Sequence, residues 1–154
     1  MLKDKIKGLG EIIILVNDIQ KMKDFYQEVI GLKILAQKEH FAFFKLAEGH
    51  KGHPQILGLF DNSMPTGFGE FREEAKIQNT SLHHFALEIK LDDYDEILKL
   101  LQANGIELET KIFNWVQWRS IYLRDPEKNV IELVCFDPDI EKNSKLHKSL
   151  PQPL

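Results

Sequence analysis

An α+β fold of two βαβββ modules is what this sequence predicts, on three observations. A strand, a helix and three further strands follow one another between Glu11 and Phe60. The same order recurs from His84 to Phe136, about 73 residues on. Each helix ends on a glycine, Gly31 in the first copy and Gly105 in the second. A repeated spacing of elements constrains a fold more than any single element does.

The first copy opens on EIIILV, residues 11–16, a β-branched run that reads as a buried strand. Asn17 and Asp18 suit an N-cap, and Ile19, Met22, Phe25, Tyr26 and Val29 fall at helical spacing over residues 19–30. Gly31 then supplies the left-handed residue that ends a helix. Residues 32–35, 41–46 and 55–60 read as three strands separated by polar or glycine-containing turns. In the second copy residues 84–89 form the strand, Asp92 or Asp93 caps a helix, and Tyr94, Ile97, Leu98 and Leu101 give that helix its apolar face. Residues 106–108, 119–124 and 130–136 supply the closing strands. The modules span 9–60 and 82–136. A linker, 61–81, carries one short helical turn around 71–75, and a polar tail, 137–154, is expected to be loosely docked or disordered. Modules of about 50 to 60 residues are too small to stand alone, so they are expected to share a core or exchange faces.

Composition narrows the function classes. The 154 residues carry 20 basic and 24 acidic side chains, for a formal charge of −4, and the lysines are scattered among acids. Nucleic acid is therefore not an expected partner, because phosphate binding rests on clustered Lys and Arg. The lone cysteine, Cys135, excludes an intramolecular disulfide framework and a Cys-rich zinc site, and reads as a buried small hydrophobe. No run approaches the roughly 18 apolar residues of a membrane span. The opening MLKDKIKGLG lacks a signal-peptide pattern, so no membrane association and a cytoplasmic location are expected.

Strand alternation decides which side chains face together. Ile12, Ile14 and Val16 suit the face under the helix, leaving Glu11, Ile13 and Leu15 on the other; Phe85, Leu87 and Ile89 match the first set, and His84, Ala86 and Glu88 the second. Glu11 and His84 are thus equivalent positions. Glu132 is an acid inside an apolar strand and needs a partner, a bound cation or a histidine, or else Arg119 or Arg124. If Arg124 pairs with Val130 across the DPEKN turn, Tyr122 lies opposite Glu132 and shares its face. Trp115, Trp118 and Tyr122 are candidates for stacking on a flat substrate, and Arg119 for binding a substrate carboxylate. His83 reads as a flanking residue on the opposite face from His84; His50 and His53 belong to a solvated loop, and His40 and His147 to turn and tail.

The pieces LHHFALEI, with His84, and YLRDPEKNVIEL, with Glu132, resemble the second module of the vicinal oxygen chelate superfamily, which includes glyoxalase I, extradiol dioxygenases and the fosfomycin and bleomycin resistance proteins. IIILVNDIQKMKDFYQEVIGLKI resembles the opening module, including the element at Phe25, Tyr26, Gly31 and Leu32. The resemblance, over roughly residues 9 to 136, implies paired modules curled into an open cleft. It places metal ligands on Glu11, His84 and Glu132, for a divalent ion such as Mn, Fe, Ni, Zn or Mg. A fourth ligand position falls near Gly58, which has no side chain, and Gln55 would need a register shift to replace it. Glu11 stands where the family usually has histidine; one imidazole and two carboxylates make a hard, oxygen-rich set. The resemblance further implies a homodimer and a lyase or isomerase acting on a small molecule with vicinal oxygens, with Glu11 and Glu132 as catalytic groups. Dioxygenase chemistry ranks lower because the usual pair of histidines is missing. The alternative is a metal-free protein of the bleomycin-resistance type that sequesters a drug or metabolite, in which Glu11, Glu132 and His84 serve as a base or a structural network.

Overall fold

Two four-stranded mixed sheets carry the chain, and the computed structural model describes residues 5–72 and 81–141 of it. The first sheet has β1 (Glu11–Leu15), β2 (Lys33–Lys38), β3 (Phe41–Glu48) and β4 (Pro54–Phe60) in the order β1-β4-β3-β2. The second has β5 (Phe85–Glu88), β6 (Glu109–Phe113), β7 (Trp118–Arg124) and β8 (Val130–Phe136) in the order β5-β8-β7-β6. In each, the first strand pairs parallel with the last and the other pairings are antiparallel. The order strand, helix, three strands therefore occurs twice, and the fold is α+β with two βαβββ modules. The chain divides into two units, residues up to Ser81 together with Asp125–Lys128, and Leu82–Arg124 together with the residues from Asn129 on. Among the described residues no helix is long and apolar enough to cross a membrane.

In the first unit the helix covers one face of the sheet. α1 (Ile19–Asp24) is capped by Asp18, whose carboxylate accepts from Lys21 N at 3.0 Å. It runs into a wider π-type turn, Phe25–Val29, closed by Ile30 N donating to Phe25 O. The expected regular helix to residue 30 is thus broken at its last turn, which lets the adjacent side chains of Phe25 and Tyr26 both be buried. They pack with Met22, Val16, Phe44, Leu57 and Leu59, all on the helix side of the sheet.

The turn Asp125–Lys128 belongs to this unit. Tyr26 OH donates to Asp125 Oδ2 at 2.9 Å, with both residues buried. The Glu127 carboxylate accepts from the backbone N–H groups of Asn17 and Asp18 at 2.7 Å each, just ahead of α1. Burial, together with the Asp125 carboxylate, pushes the Tyr26 hydroxyl well above the usual tyrosine range, so it stays a donor.

In the second unit α2 (Tyr94–Ala103) covers the face formed by Phe85, Ile121, Leu123, Ile131, Leu133 and Cys135. Its end corrects one expectation. The strand expected at 106–108 lies at Glu109–Phe113 instead, because Gly105 N donates to Gln102 O and Ile106 N to Leu101 O. Those two bonds close the helix in a Schellman-type stop and remove Ile106 from the strand. The start of the tail is also better anchored than expected. Asp137 and Ile140 are buried, Arg119 holds Asp137 at 2.6 Å, and Gln117 Nε2 donates to Pro138 O and Ile140 O. Phe71 and Arg72 are not helical; the rest of the helical turn expected at 71–75, and the tail beyond 141, lie outside the described residues.

Candidate functional site

The face of the second sheet away from α2 carries a polar cluster in an apolar strand. Tyr122 pairs with Glu132 across β7 and β8, and Arg124 with Val130, the register expected from the turn. Glu132 is buried, and its Oε1 accepts from Ser120 Oγ at 2.6 Å and Tyr122 OH at 2.9 Å. Its Oε2 lies 3.2 Å from His84 Nε2. The carboxylate's partners are thus two hydroxyls and an imidazole, not Arg119 or Arg124. Burial, and then the hydrogen bond to Glu132, push the Tyr122 hydroxyl up to about 12. At neutral pH Tyr122 therefore remains a donor and fixes one carboxylate oxygen while the other faces His84.

The remaining sequence candidates separate around this pair. Trp118 is on the Glu132 face, opposite Phe136, and about 42% exposed. Trp115 is similarly exposed but sits in the β6–β7 turn. Arg119 lies on the opposite face from Glu132. It pairs with Asp137 and stacks on the Tyr94 ring 5.1 Å from its centroid, which removes it from the Glu132 cluster. His83 is not turned away from His84: the two Nδ1 atoms are 2.6 Å apart, because both precede β5 and strand alternation does not govern them. Lys111, on β6 opposite Ser120, holds its Nζ 5.4 Å from the Tyr122 ring centroid. Sequence reasoning missed it; a lysine in a polar strand gives no signal without the register.

In the first unit Glu11 lines a cleft of about 350 Å³ with Ile13, Leu15, Phe43, Phe60, Met64 and Arg72 among its walls. The pairing explains why the first module has no counterpart of Glu132. Ile13 and Phe43 both pair with Gly58, as Ala86 and Tyr122 both pair with Glu132. A Cβ on Gly58 would collide with Ile13 Cδ1 and stand 3.0 Å from two ring carbons of Phe43. Where the second module has small Ala86 beside a carboxylate, the first has a large Ile13 beside no side chain.

The His84–Glu132 pair fits a divalent ion. Two donors each about 2.1 Å from one ion, at right or tetrahedral angles, stand roughly 3.0–3.4 Å apart, and these stand 3.2 Å apart. Tyr122 and Ser120 orient the carboxylate, as hydrogen-bonded outer partners do for metal ligands. No three described His, Cys, Asp or Glu side chains gather into a metal-holding group, so the pair needs a further donor.

A second polar cluster lies at the start of the loop that lines the cleft. His40 Nδ1 stands 2.8 Å from Asp61 Oδ2, and Ser63 donates to Asp61 Oδ1 through N and Oγ. The Asp61 hydrogen bond raises the His40 pKa from 6.5. Burial works to raise that of Asp61, but bonds from Ser63 and His40 outweigh it and bring it below 3.8. The His40 contribution to stability is present in full below 6.5 and lost as pH rises through its raised value; that of Asp61 is present above 3.8 and lost on acidification. NMR titration of the imidazole is expected to place His40 above 6.5, and Asp61→Asn to lower it.

Comparison with known proteins agrees with this architecture. The family model for the Glyoxalase/Bleomycin resistance protein/Dioxygenase superfamily matches residues 8–133. The uncharacterized protein YraH of Bacillus subtilis is 30% identical over 129 residues, covering 81% of this chain and 95% of its own. The metallothiol transferase FosB of Staphylococcus haemolyticus is 28% identical over 129 residues, 83% of each chain. Among solved structures, a lactoylglutathione lyase from Agrobacterium tumefaciens superimposes with a TM-score of 0.63 at 24% identity, covering 83% of this chain and 92% of its own. With two βαβββ modules and a match over most of its length, the chain belongs to the glyoxalase/bleomycin resistance protein/dioxygenase superfamily.

Proposed function

We propose that this protein is a divalent-metal-dependent enzyme, a lyase or isomerase, acting on a small molecule that bears adjacent oxygens. The observation that carries the reading is the buried carboxylate of Glu132, with Oε1 fixed by two hydroxyls and Oε2 held 3.2 Å from His84 Nε2. His84 and Glu132 would hold the ion, with Glu11 as the third ligand that the family resemblance implies, in a cytoplasmic homodimer. When bound, the ion supplies Lewis-acid polarisation of a substrate oxygen. The protein's own groups do the rest. Glu132 is pinned by Ser120 and Tyr122 and serves as a fixed ligand. Glu11 has no hydrogen-bond or ion-pair partner among the described residues, so it is the carboxylate free to carry a proton. Trp118 offers a flat apolar surface on the Glu132 face.

Likeness to a metallothiol transferase favours a second reading, transfer of a thiol to such a substrate. Consumption of free thiol in step with product separates it from lyase or isomerase turnover.

Metal analysis of protein purified without chelator tests the reading. About one ion per chain is expected, lost in His84→Ala and weakened in Glu11→Gln. Absence of metal under every loading condition would overturn it in favour of a metal-free binding protein.

A further inference from the structure

We infer that the cleft of the first unit selects an apolar acid: a small molecule with a single ring or branched hydrocarbon body and one carboxylate or similar oxyanion. The inference names the substrate class for the site to which Glu11 contributes, and its catalytic meaning rests on the reading above. Three observations carry it.

The floor is apolar and aromatic. Ile13 and Leu15 line it from β1, Phe43 and Phe60 from β3 and β4, and Met64 and Pro65 from the loop after β4. The Phe43 and Phe60 ring centroids are 5.6 Å apart, and Phe41 packs against both. Glycine at position 58 lets Ile13 and Phe43 close over the middle of the sheet.

The wall is prebuilt. Asp61 is held by His40 and Ser63, and Met64 N donates to Asp61 O. Thr66 and Glu70 then close a turn on one another: Thr66 N donates to Glu70 O at 2.7 Å, while Thr66 Oγ1 accepts from Phe68 N and Glu70 N. Gly69 takes φ +78° in that turn, a conformation other residues adopt only under strain.

The cleft carries one charge of each sign, Glu11 and Arg72, and an anion is matched to the Arg72 end of it. Arg72 follows the turn and lines the same cleft, with no hydrogen-bond or ion-pair partner among the described residues. A guanidinium beside an apolar floor is matched by a planar oxyanion, which it meets through two parallel N–H bonds. At about 350 Å³ the cleft sits at the small end of ligand pockets, roughly 300–1,000 Å³. That suits a monocyclic acid rather than a polymer or a nucleotide.

The test uses phenylacetate as probe, with 2-phenylethanol as its neutral counterpart and acetate as its ring-free counterpart, read by amide chemical shifts of the whole chain. Saturable shifts at Leu15, Phe60 and Gly67 are expected with phenylacetate. Each control should bind about tenfold more weakly or worse, from the lost charge pair or the lost apolar area. Arg72→Ala should lose about tenfold in affinity, and Arg72→Lys should recover only part, because an ammonium lacks the bidentate fork. Equal binding of the neutral alcohol, an unchanged affinity in Arg72→Ala, or shifts confined to other residues would each overturn the inference. Bound metal measured in the same samples keeps the two readings apart. Metal-free protein that still binds phenylacetate through Arg72 upholds this inference and removes the metal reading; metal-loaded protein indifferent to Arg72 does the reverse.

Discussion

If the proposed metal site is right, Glu132→Gln protein is expected to fold normally, to purify without a divalent ion, and to lose about 100-fold or more in turnover. The amide is nearly isosteric with the carboxylate. Its oxygen can still accept from Ser120 and Tyr122, and its NH2 can still donate toward His84, so no buried polar atom is stranded. What disappears is the negative charge that would make Oε2 a metal donor. Glu132→Ala is the contrasting variant: it leaves the buried Ser120 hydroxyl and the half-buried Tyr122 hydroxyl without their acceptor, at a cost of roughly 1–3 kcal/mol. The Tyr122 titration provides an internal control. Burial, the larger cause of its upward displacement, persists in Glu132→Gln while the carboxylate's part is removed, so tyrosinate formation should begin at a lower pH than about 12 without returning fully to 10.0. Elemental analysis, thermal melting and tyrosinate absorbance read the three effects. Stoichiometric metal in Glu132→Gln would remove Glu132 from the ligand set.

Asp125→Ala should cost roughly 2–4 kcal/mol of unfolding free energy, more than most single substitutions outside an apolar core. Asp125 is 2% exposed and Tyr26 fully buried, and the hydroxyl donates to the carboxylate at 2.9 Å. The same carboxylate accepts from Glu127 N at 3.0 Å, which shapes the turn that presents Glu127 to the start of α1. Removing it strands a buried donor and loosens the turn together. Tyr26→Phe removes only the hydroxyl and should cost about 1–2 kcal/mol. In urea unfolding the double variant should be less destabilised than the sum, because the two share one hydrogen bond. Additive losses would mean that the bond contributes little.

Much of this fold was legible in the residues because both modules repeat one pattern. Six of the eight strands lie where β-branched or aromatic runs predicted them, within about two residues at each end. The misplacements come from backbone hydrogen bonds that side-chain patterns do not display. Ile106 and Leu108 alternate like a strand, yet Ile106 N–H is committed to Leu101 O at the end of α2. Leu32 is held in the same way, its N–H donating to Tyr26 O, so β2 begins only at Lys33. Similarly, adjacent aromatics such as Phe25 and Tyr26 fit a helical pattern without disclosing that the last turn widens to bury both.

The candidate site was legible where strand alternation applied and obscure where it did not. Tyr122 and Glu132 face each other because the DPEKN turn fixed their register. The same alternation puts Arg119, three positions before Tyr122, on the other face, where Asp137 and Tyr94 engage it. His83 and His84 precede their strand, so a rule about strand faces says nothing of them. Asp61 and Ser63, which hold His40, and Arg72, which lines the cleft, come from a loop whose composition signals only a turn.

Gly58 has a consequence for how such a chain can change. A metal-binding side chain there cannot be acquired in one step, since Ile13 and Phe43 already occupy its space. Shrinking either neighbour first opens a hole in the floor of the cleft and weakens the sheet face that depends on it. A side chain at position 58 must therefore arrive together with a smaller residue at 13 or 43 or with a shift of the strand. Position 58 is thus held at glycine by its two neighbours on the sheet face rather than by the demands of a turn.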